Sequence, residues 1–327
     1  MLLRGCQLLR DANDLVELAH SEGLLGTSLA FAGEFEASHR HIEESRRLAE
    51  LLNSPARRMG VCLYQTLHAE AHFQWEDGIR TSAQLLAHAE DYSMAGLYLY
   101  LGTLMAGRHH FHIGELLRAR HLLSNAINLS TIFGIRTGRS WAHAFLGDVF
   151  FIDGRFEDAL RWYAAGNELA REGRGDGWGL PLTLIGMAHV SACLGVDRAR
   201  VIELAEESFR AYEAAGNITA MATGLVRYLE ALASYGDEDA RSAAVRTRLA
   251  GILEKIGVAR CDFWPVLPAS ATEAERARPA PDYWRDRAGS EVVATAPGQV
   301  GRDSQSLLVN LSTMDGFVPA FAARQLR

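Results

Sequence analysis

The chain has 327 residues, 48% hydrophobic and 22% charged, with a formal net charge of -7 and four cysteines. Such a composition excludes a disulfide-stapled miniprotein, a collagen-like fibre and a wholly disordered chain. Its mild acidity argues against general nucleic-acid binding, which relies on clustered cations, and its one lysine, Lys255, follows no glycine, so no phosphate-binding P-loop is encoded.

The chain opens Met1-Leu2-Leu3-Arg4-Gly5-Cys6, and Arg4 and Arg10 break its apolar stretch before a signal segment can form. The uncharged run Tyr92 to Gly107 is shorter than the roughly 18–20 residues a membrane-spanning helix requires and ends at Arg108-His109-His110. A soluble, cytoplasmic protein with no membrane contact is expected. Cys6, Cys62, Cys193 and Cys261 form no Cys-x-x-Cys pair, so reduced thiols are expected rather than a zinc ribbon or a redox site.

Internal repetition dominates the reading. Gly26 and Gly33, followed by Phe35, stand seven residues apart; the segment Glu34 to Leu52 then sets Phe35, Ile42 and Leu48 among charged residues, as an amphipathic helix requires. A weaker second copy is anchored at Glu70, with its turn expected near Asp77-Gly78. The glycine spacing returns at Gly107 and Gly114, and again in Leu146-Gly147 through Gly154, Phe156 and Ala159-Leu160. Further copies are anchored at Ala188 and Leu229, with turns near Gly195 and Gly236-Asp237. These anchors imply a unit of about forty residues, longer than the ~34 of a standard tetratricopeptide repeat. The small residue where helices cross, the turn glycine and the following aromatic are nonetheless the pattern of that repeat.

Trp141-Ala-His-Ala-Phe-Leu-Gly-Asp-Val-Phe through Arg161-Trp162-Tyr163, with Gly177-Trp178-Gly179-Leu180 opening the next helix, resembles the repeat region of large bacterial signal-transduction ATPases and their associated transcription regulators or nucleotide cyclases. The resemblance covers roughly residues 15 to 257. It implies an interaction or sensing module, without the ATPase, cyclase or DNA-binding activities, for which no segment is evident. The expected fold is all-α, a right-handed tetratricopeptide-like solenoid of about six helical pairs over residues 1–260, whose units bury their apolar faces by stacking. Six of the eight prolines follow Cys261, so residues 261–327 are expected to form an atypical, partly irregular segment. Its Phe263, Trp264, Tyr283 and Trp284 suggest that it packs back on the solenoid.

The first helix of each unit should line the concave groove. The repeat register places Tyr64, His68, Gln74 and Trp75 there from the second unit, Arg108, Phe111 and His112 from the third, Trp141, Phe145, Asp148 and Phe151 from the fourth, and His189 from the fifth. An aromatic groove with few ionic groups suits a protein or peptide partner, a small apolar ligand or the protein's own tail. It does not supply the cationic clamp that an acidic peptide carboxylate would need. No cofactor or metal is expected. The pair His68/His72 and the cluster His109, His110, His112 and Glu115 have chelating types, but the glutamate of His68-Ala-Glu-Ala-His72 is misplaced for a metalloprotease.

Non-catalytic recognition in bacterial signalling or regulation is the favoured function. The rival is an enzyme or accessory protein of small-molecule metabolism, using His112, Asp148, His189 and Arg108 as polar groups in the same chamber. Arg108 with Asp148 also reads as an ion pair bridging two repeats. The charged faces Glu203 to Tyr212 and Arg241 to Arg248 read as solvated outer surface, and open repeat ends are compatible with a homodimer.

Overall fold

A computed structural model describes residues 2–90, 96–172, 178–236, 240–258 and Cys261. The described residues form thirteen helices. A short leading helix α1 (Leu2–Asp11) precedes six antiparallel pairs: α2 (Leu15–Phe31) with α3 (Phe35–Leu51), α4 (Pro55–Ala71) with α5 (Trp75–Glu90), α6 (Gly96–His112) with α7 (Leu116–Ile132), α8 (Arg139–Ile152) with α9 (Phe156–Glu172), α10 (Gly179–Cys193) with α11 (Arg198–Ala215), and α12 (Ile218–Ala233) with α13 (Ala240–Ile256). None of the described helices is long and apolar enough to cross a membrane. The expected C-terminal segment from 262 onward and the Gly173-to-Gly177 stretch lie outside the described residues.

Each pair is closed by the same local device. The chain turns through left-handed backbone at positions 33, 73, 114, 154, 195 and 236, 40 or 41 residues apart. At the first five turns the amide of the next residue reaches back five positions, as in Glu34 N to Leu29 O at 2.9 Å and Gln74 N to Ala69 O at 2.9 Å. This 6→1 bond is the Schellman closure, which satisfies carbonyls that a helix end leaves orphaned. Five of the six left-handed residues are glycines with φ between 72° and 95°. The sixth is Phe73, at φ 59°.

Phe73 corrects the expected register. The second turn is His72-Phe73-Gln74, not Asp77-Gly78, and the equivalent of Gly147 in that unit is Thr66, not Glu70. The period then becomes uniform. Without a glycine at position 73 the sequence carried no turn signal there. Gly78 lies inside α5, where a Cβ would come within 2.4 Å of the His109 ring. Elsewhere the anchor glycines do what the pattern implied: a Cβ on Gly26 would meet Ile42 at 2.6 Å, and one on Gly147 would meet Tyr163 at 2.6 Å. The missing side chain is what lets the two helices of a pair approach.

The helix starts are equally local. Asp14, Ser54, Asp197 and Asn217 cap α2, α4, α11 and α12 by accepting a backbone N–H with their side chains. Pro55 at the first turn of α4 needs no donor there.

The first helices α2, α4, α6, α8, α10 and α12 pack successively, and α12 also touches α2, so the array curls until its ends meet. At this seam the Gly33 turn abuts Ile256 of α13, Phe35 and Phe73 pack on the cluster formed by α10 to α13, and Phe31 meets Trp178 edge-on at 4.3 Å. The outer faces behave as expected: Glu203, Glu206 and Arg210 are exposed while Leu204, Ser208 and Tyr212 are buried. Arg241 and Arg248 are held by Glu206 and Glu213 of α11 rather than left free as a cationic face.

Candidate functional site

Curling encloses a central cavity lined by every first helix. Phe31, Phe73, Trp75, Trp141, Phe145 and Trp178 make its aromatic wall; Met105, Leu182, Ile185 and Tyr212 add apolar surface; Asn217, Thr219 and Thr223 form a polar margin from α12. The centre of a water molecule can move within about 60 Å³, room for roughly four to six waters. Phe73, Trp75, Trp141 and Trp178 are each partly exposed and connect the cavity to solvent. The indoles of Trp141 and Trp178 stack with centroids 5.4 Å apart, and the Trp141 indole nitrogen is buried without a hydrogen-bond partner among the described residues.

The charged groups of the cavity are tied to one another. Arg108 of α6 donates from Nη1 to Asp148 Oδ2 at 2.9 Å, and Arg227 of α12 donates from Nη1 to Asp148 Oδ1, also at 2.9 Å. Tyr163 of α9 donates to Asp148 Oδ1 at 2.7 Å and accepts from Arg227 Nη2 at 2.9 Å. Burial pushes the Tyr163 hydroxyl well above its ordinary pKa, so it remains a donor. The side chains of Arg108, Asp148 and Arg227 are only 6%, 4% and 4% exposed. Two arginines around one carboxylate would leave a positive excess; Glu70 offsets it, 3.4 Å from Arg108 Nε and 3.2 Å from His109 Nε2. Arg108 also lies over the Phe145 ring at 4.5 Å, a cation–π contact strengthened by desolvation.

Small residues make the network possible. Tyr163 reaches Asp148 only by passing between Gly147 and Gly186, where added Cβ atoms would meet its ring at 2.6 and 2.5 Å. Arg227, absent from the sequence-derived groove, thus joins α12 to α8 across α10. Its signal in the sequence was an arginine within the apolar run Gly224-Leu225-Val226 to Tyr228-Leu229 of α12.

Of the expected groove residues, Trp75, Arg108, Trp141, Phe145 and Asp148 meet at the cavity. The others lie elsewhere. Tyr64 fills the space over Gly23, with its hydroxyl 2.5 Å from His20 Nδ1. Phe111 is 1% exposed in the core of the middle repeats. His112 is buried, does not line the cavity and stacks on Trp75 at 3.8 Å. Phe151 packs on His189 at 4.4 Å, and His189 Nε2 lies 3.5 Å from Glu230 Oε2. Burial lowers the pKa of both His112 and His189 well below the usual imidazole value, keeping both neutral.

His68 and His112 do not share a groove as expected. His68 and Gln74 line a separate, wider depression of about 620 Å³ between α3, α4 and α5, with Phe35, His39 and His72. There Phe35 stacks on His72 at 4.0 Å and Ser38 bonds His68 Nδ1 at 2.8 Å. Burial, with His72 and His39 adding repulsion, lowers His68 to about 4. Among the described residues no group of three or more histidine, cysteine or carboxylate side chains is arranged to hold a metal.

No protein-family model matches the chain, and no curated protein matches it. Solved structures do. A Rap protein complexed with competence and sporulation factor aligns with a TM-score of 0.59 at 14% identity, over 74% of this chain and 65% of that one. The apo form of RapI aligns with a TM-score of 0.52 at 9% identity, over 72% and 84%. The chain therefore spans just under two thirds of the first of these proteins. At such identities the likeness establishes the tetratricopeptide-like helical-repeat fold.

Proposed function

We propose that this protein is a non-catalytic recognition module whose central cavity takes one large apolar side chain of a peptide or protein partner, in bacterial signalling or regulation. The observation that carries this reading is the aromatic wall, above all Phe73. Where the other five turns use glycine, this one holds a phenylalanine in left-handed backbone, at a cost of about 1–2 kcal/mol, with its ring in the cavity wall. Strain retained at a lining position suits a role for the ring itself. The Arg108–Asp148–Arg227–Tyr163 network supports an uncharged anchor, since an anionic group would have to displace Asp148 from two arginines. The Rap structure solved with competence and sporulation factor supports a peptide as partner. The histidines of the enzymatic alternative, His112 and His189, do not line the cavity, which weighs for recognition.

The test is selection from a displayed random-peptide library on the immobilised protein. Enriched peptides should share a tryptophan, phenylalanine or leucine. Their binding should fall at least about tenfold in Phe73→Gly or Trp141→Leu, a loss of about 1.4 kcal/mol, while the thermal midpoint of Phe73→Gly shifts little because relief of strain offsets the lost ring. Enriched peptides without a common apolar anchor, or with equal affinity for the variants, would rule this reading out.

A further inference from the structure

Where the chain leaves its described course bears on what the cavity meets first. Cys261 is 6% exposed and belongs to the apolar cluster of α10 to α13. Ile185 and Tyr212 of that same cluster line the cavity. The residues that follow are Asp262-Phe263-Trp264-Pro265-Val266-Leu267-Pro268. An extended chain advances about 3.3 Å per residue, so Trp264 can stand ~10 Å from Cys261 and Pro268 ~23 Å. For Trp264 that reach is about the width of one helix, ~10–12 Å.

We propose that the segment Phe263-Trp264 is the cavity's own intramolecular occupant, which an external partner must displace. The proposal rests on reading the cavity as a site for one large apolar side chain, and it adds what competes for that site. Three features argue for this segment over another. The space for roughly four to six waters corresponds to about 120–180 Å³ of liquid, the scale of a single indole side chain rather than of a peptide. From 263 to 268 the segment carries no charge, matching a cavity whose arginines and carboxylates are already paired. An indole N–H needs an acceptor, and Glu70 at the cavity wall is held only by long contacts, 3.4 Å to Arg108 and 3.2 Å to His109, so its oxygens retain accepting capacity.

Tethering sets the consequence. A short tether gives an effective concentration in the millimolar range, so even a weak contact keeps the site mostly filled and raises the concentration an external ligand must reach. The partner's affinity then depends on a segment the partner never touches.

The experiment uses the full-length chain and 5-fluoroindole as probe, with binding followed by ¹⁹F NMR. Trp264→Ala should bind the probe about tenfold more tightly than wild type, the factor expected when a tethered competitor is removed. Trp264→Phe should stay near wild type, and Trp284→Ala, which removes an indole farther along the same segment, should change nothing. A synthetic Asp262–Pro268 peptide should displace the probe from Trp264→Ala. If wild type and Trp264→Ala bind equally, self-occupancy is wrong while the cavity reading stands. If no variant binds 5-fluoroindole, both are wrong. A gain that varies with protein concentration would make the occupant the segment of a second copy and overturn the intramolecular form.

Discussion

The middle repeats and the seam hold the same cavity together by different physics. In the middle, Asp148 joins α6, α8 and α12 through two arginines and a tyrosine that are almost wholly buried. At the seam, α13 meets the α2–α3 turn through Ile256 against Gly33, and Phe31 through one ring contact with Trp178. The first is directional and costly to leave half-made; the second is apolar and non-directional, with Phe35 and Phe73 adding to it. The contrast predicts where the ring yields: the ends should part before the interior repeats unstack.

The largest expected effect would come from Asp148→Ala. It strands two buried guanidinium groups, and losing one member of such a buried set costs about 3–5 kcal/mol. Urea unfolding should show it, and hydrogen exchange should rise in α6, α8 and α12 together; a change below about 1 kcal/mol would mean the network is not what holds these helices. Ile256→Ala should cost less, about 2 kcal/mol, the low end for a buried isoleucine, because α13 can settle into the gap. Its signature is local: faster exchange near Gly33 and altered Trp178 emission, with α8 unaffected. Equal loosening in both regions would erase the distinction.

Acid should weaken the interior repeats through two buried imidazoles. His112 and His189 have folded pKa values depressed by burial below the unfolded value of about 6.5. Above pH 6.5 both states are neutral and stability is full; as pH falls below it the unfolded chain takes up protons that the folded chain refuses. Each such group should remove up to about 1.4 kcal/mol per pH unit. Thermal midpoints should therefore fall from pH 6.5 towards 4, and His189→Gln should flatten the slope. The smallest effect is expected from Arg241→Ala, whose partner Glu206 is about half exposed. Such surface pairs contribute about 0.2–1 kcal/mol, and added salt should mimic the substitution.

Much of this was legible in the sequence, for local reasons. Glycines at 33, 114, 154, 195 and 236 declare left-handed turns, since other residues take that backbone at a cost. The helix faces follow from apolar spacing. Phe73 was not legible, because nothing in its type announces a turn, and the error displaced one anchor by a full helical turn. Half of the expected groove likewise belonged to the core. Tyr64 and Phe151 sit on the inward side of their helices, but neighbouring repeats close over them. Periodicity reports the side of a helix a residue takes, and says nothing of how near the next repeat comes.

The repeat unit, its length of about forty residues, its all-helical character and the ion pair of Arg108 with Asp148 are properties of neighbouring residues or adjacent repeats, and a linear pattern can encode them. The closure of α12 and α13 onto α2, the third partner Arg227 and the size of the cavity could not be read in that way. They depend on the small rotation between successive units summed over the array, and a modest change in that sum decides whether the ends meet. Tertiary structure alone settled that they do, and so turned an expected concave groove into an aromatic chamber that reaches solvent past Phe73, Trp75, Trp141 and Trp178.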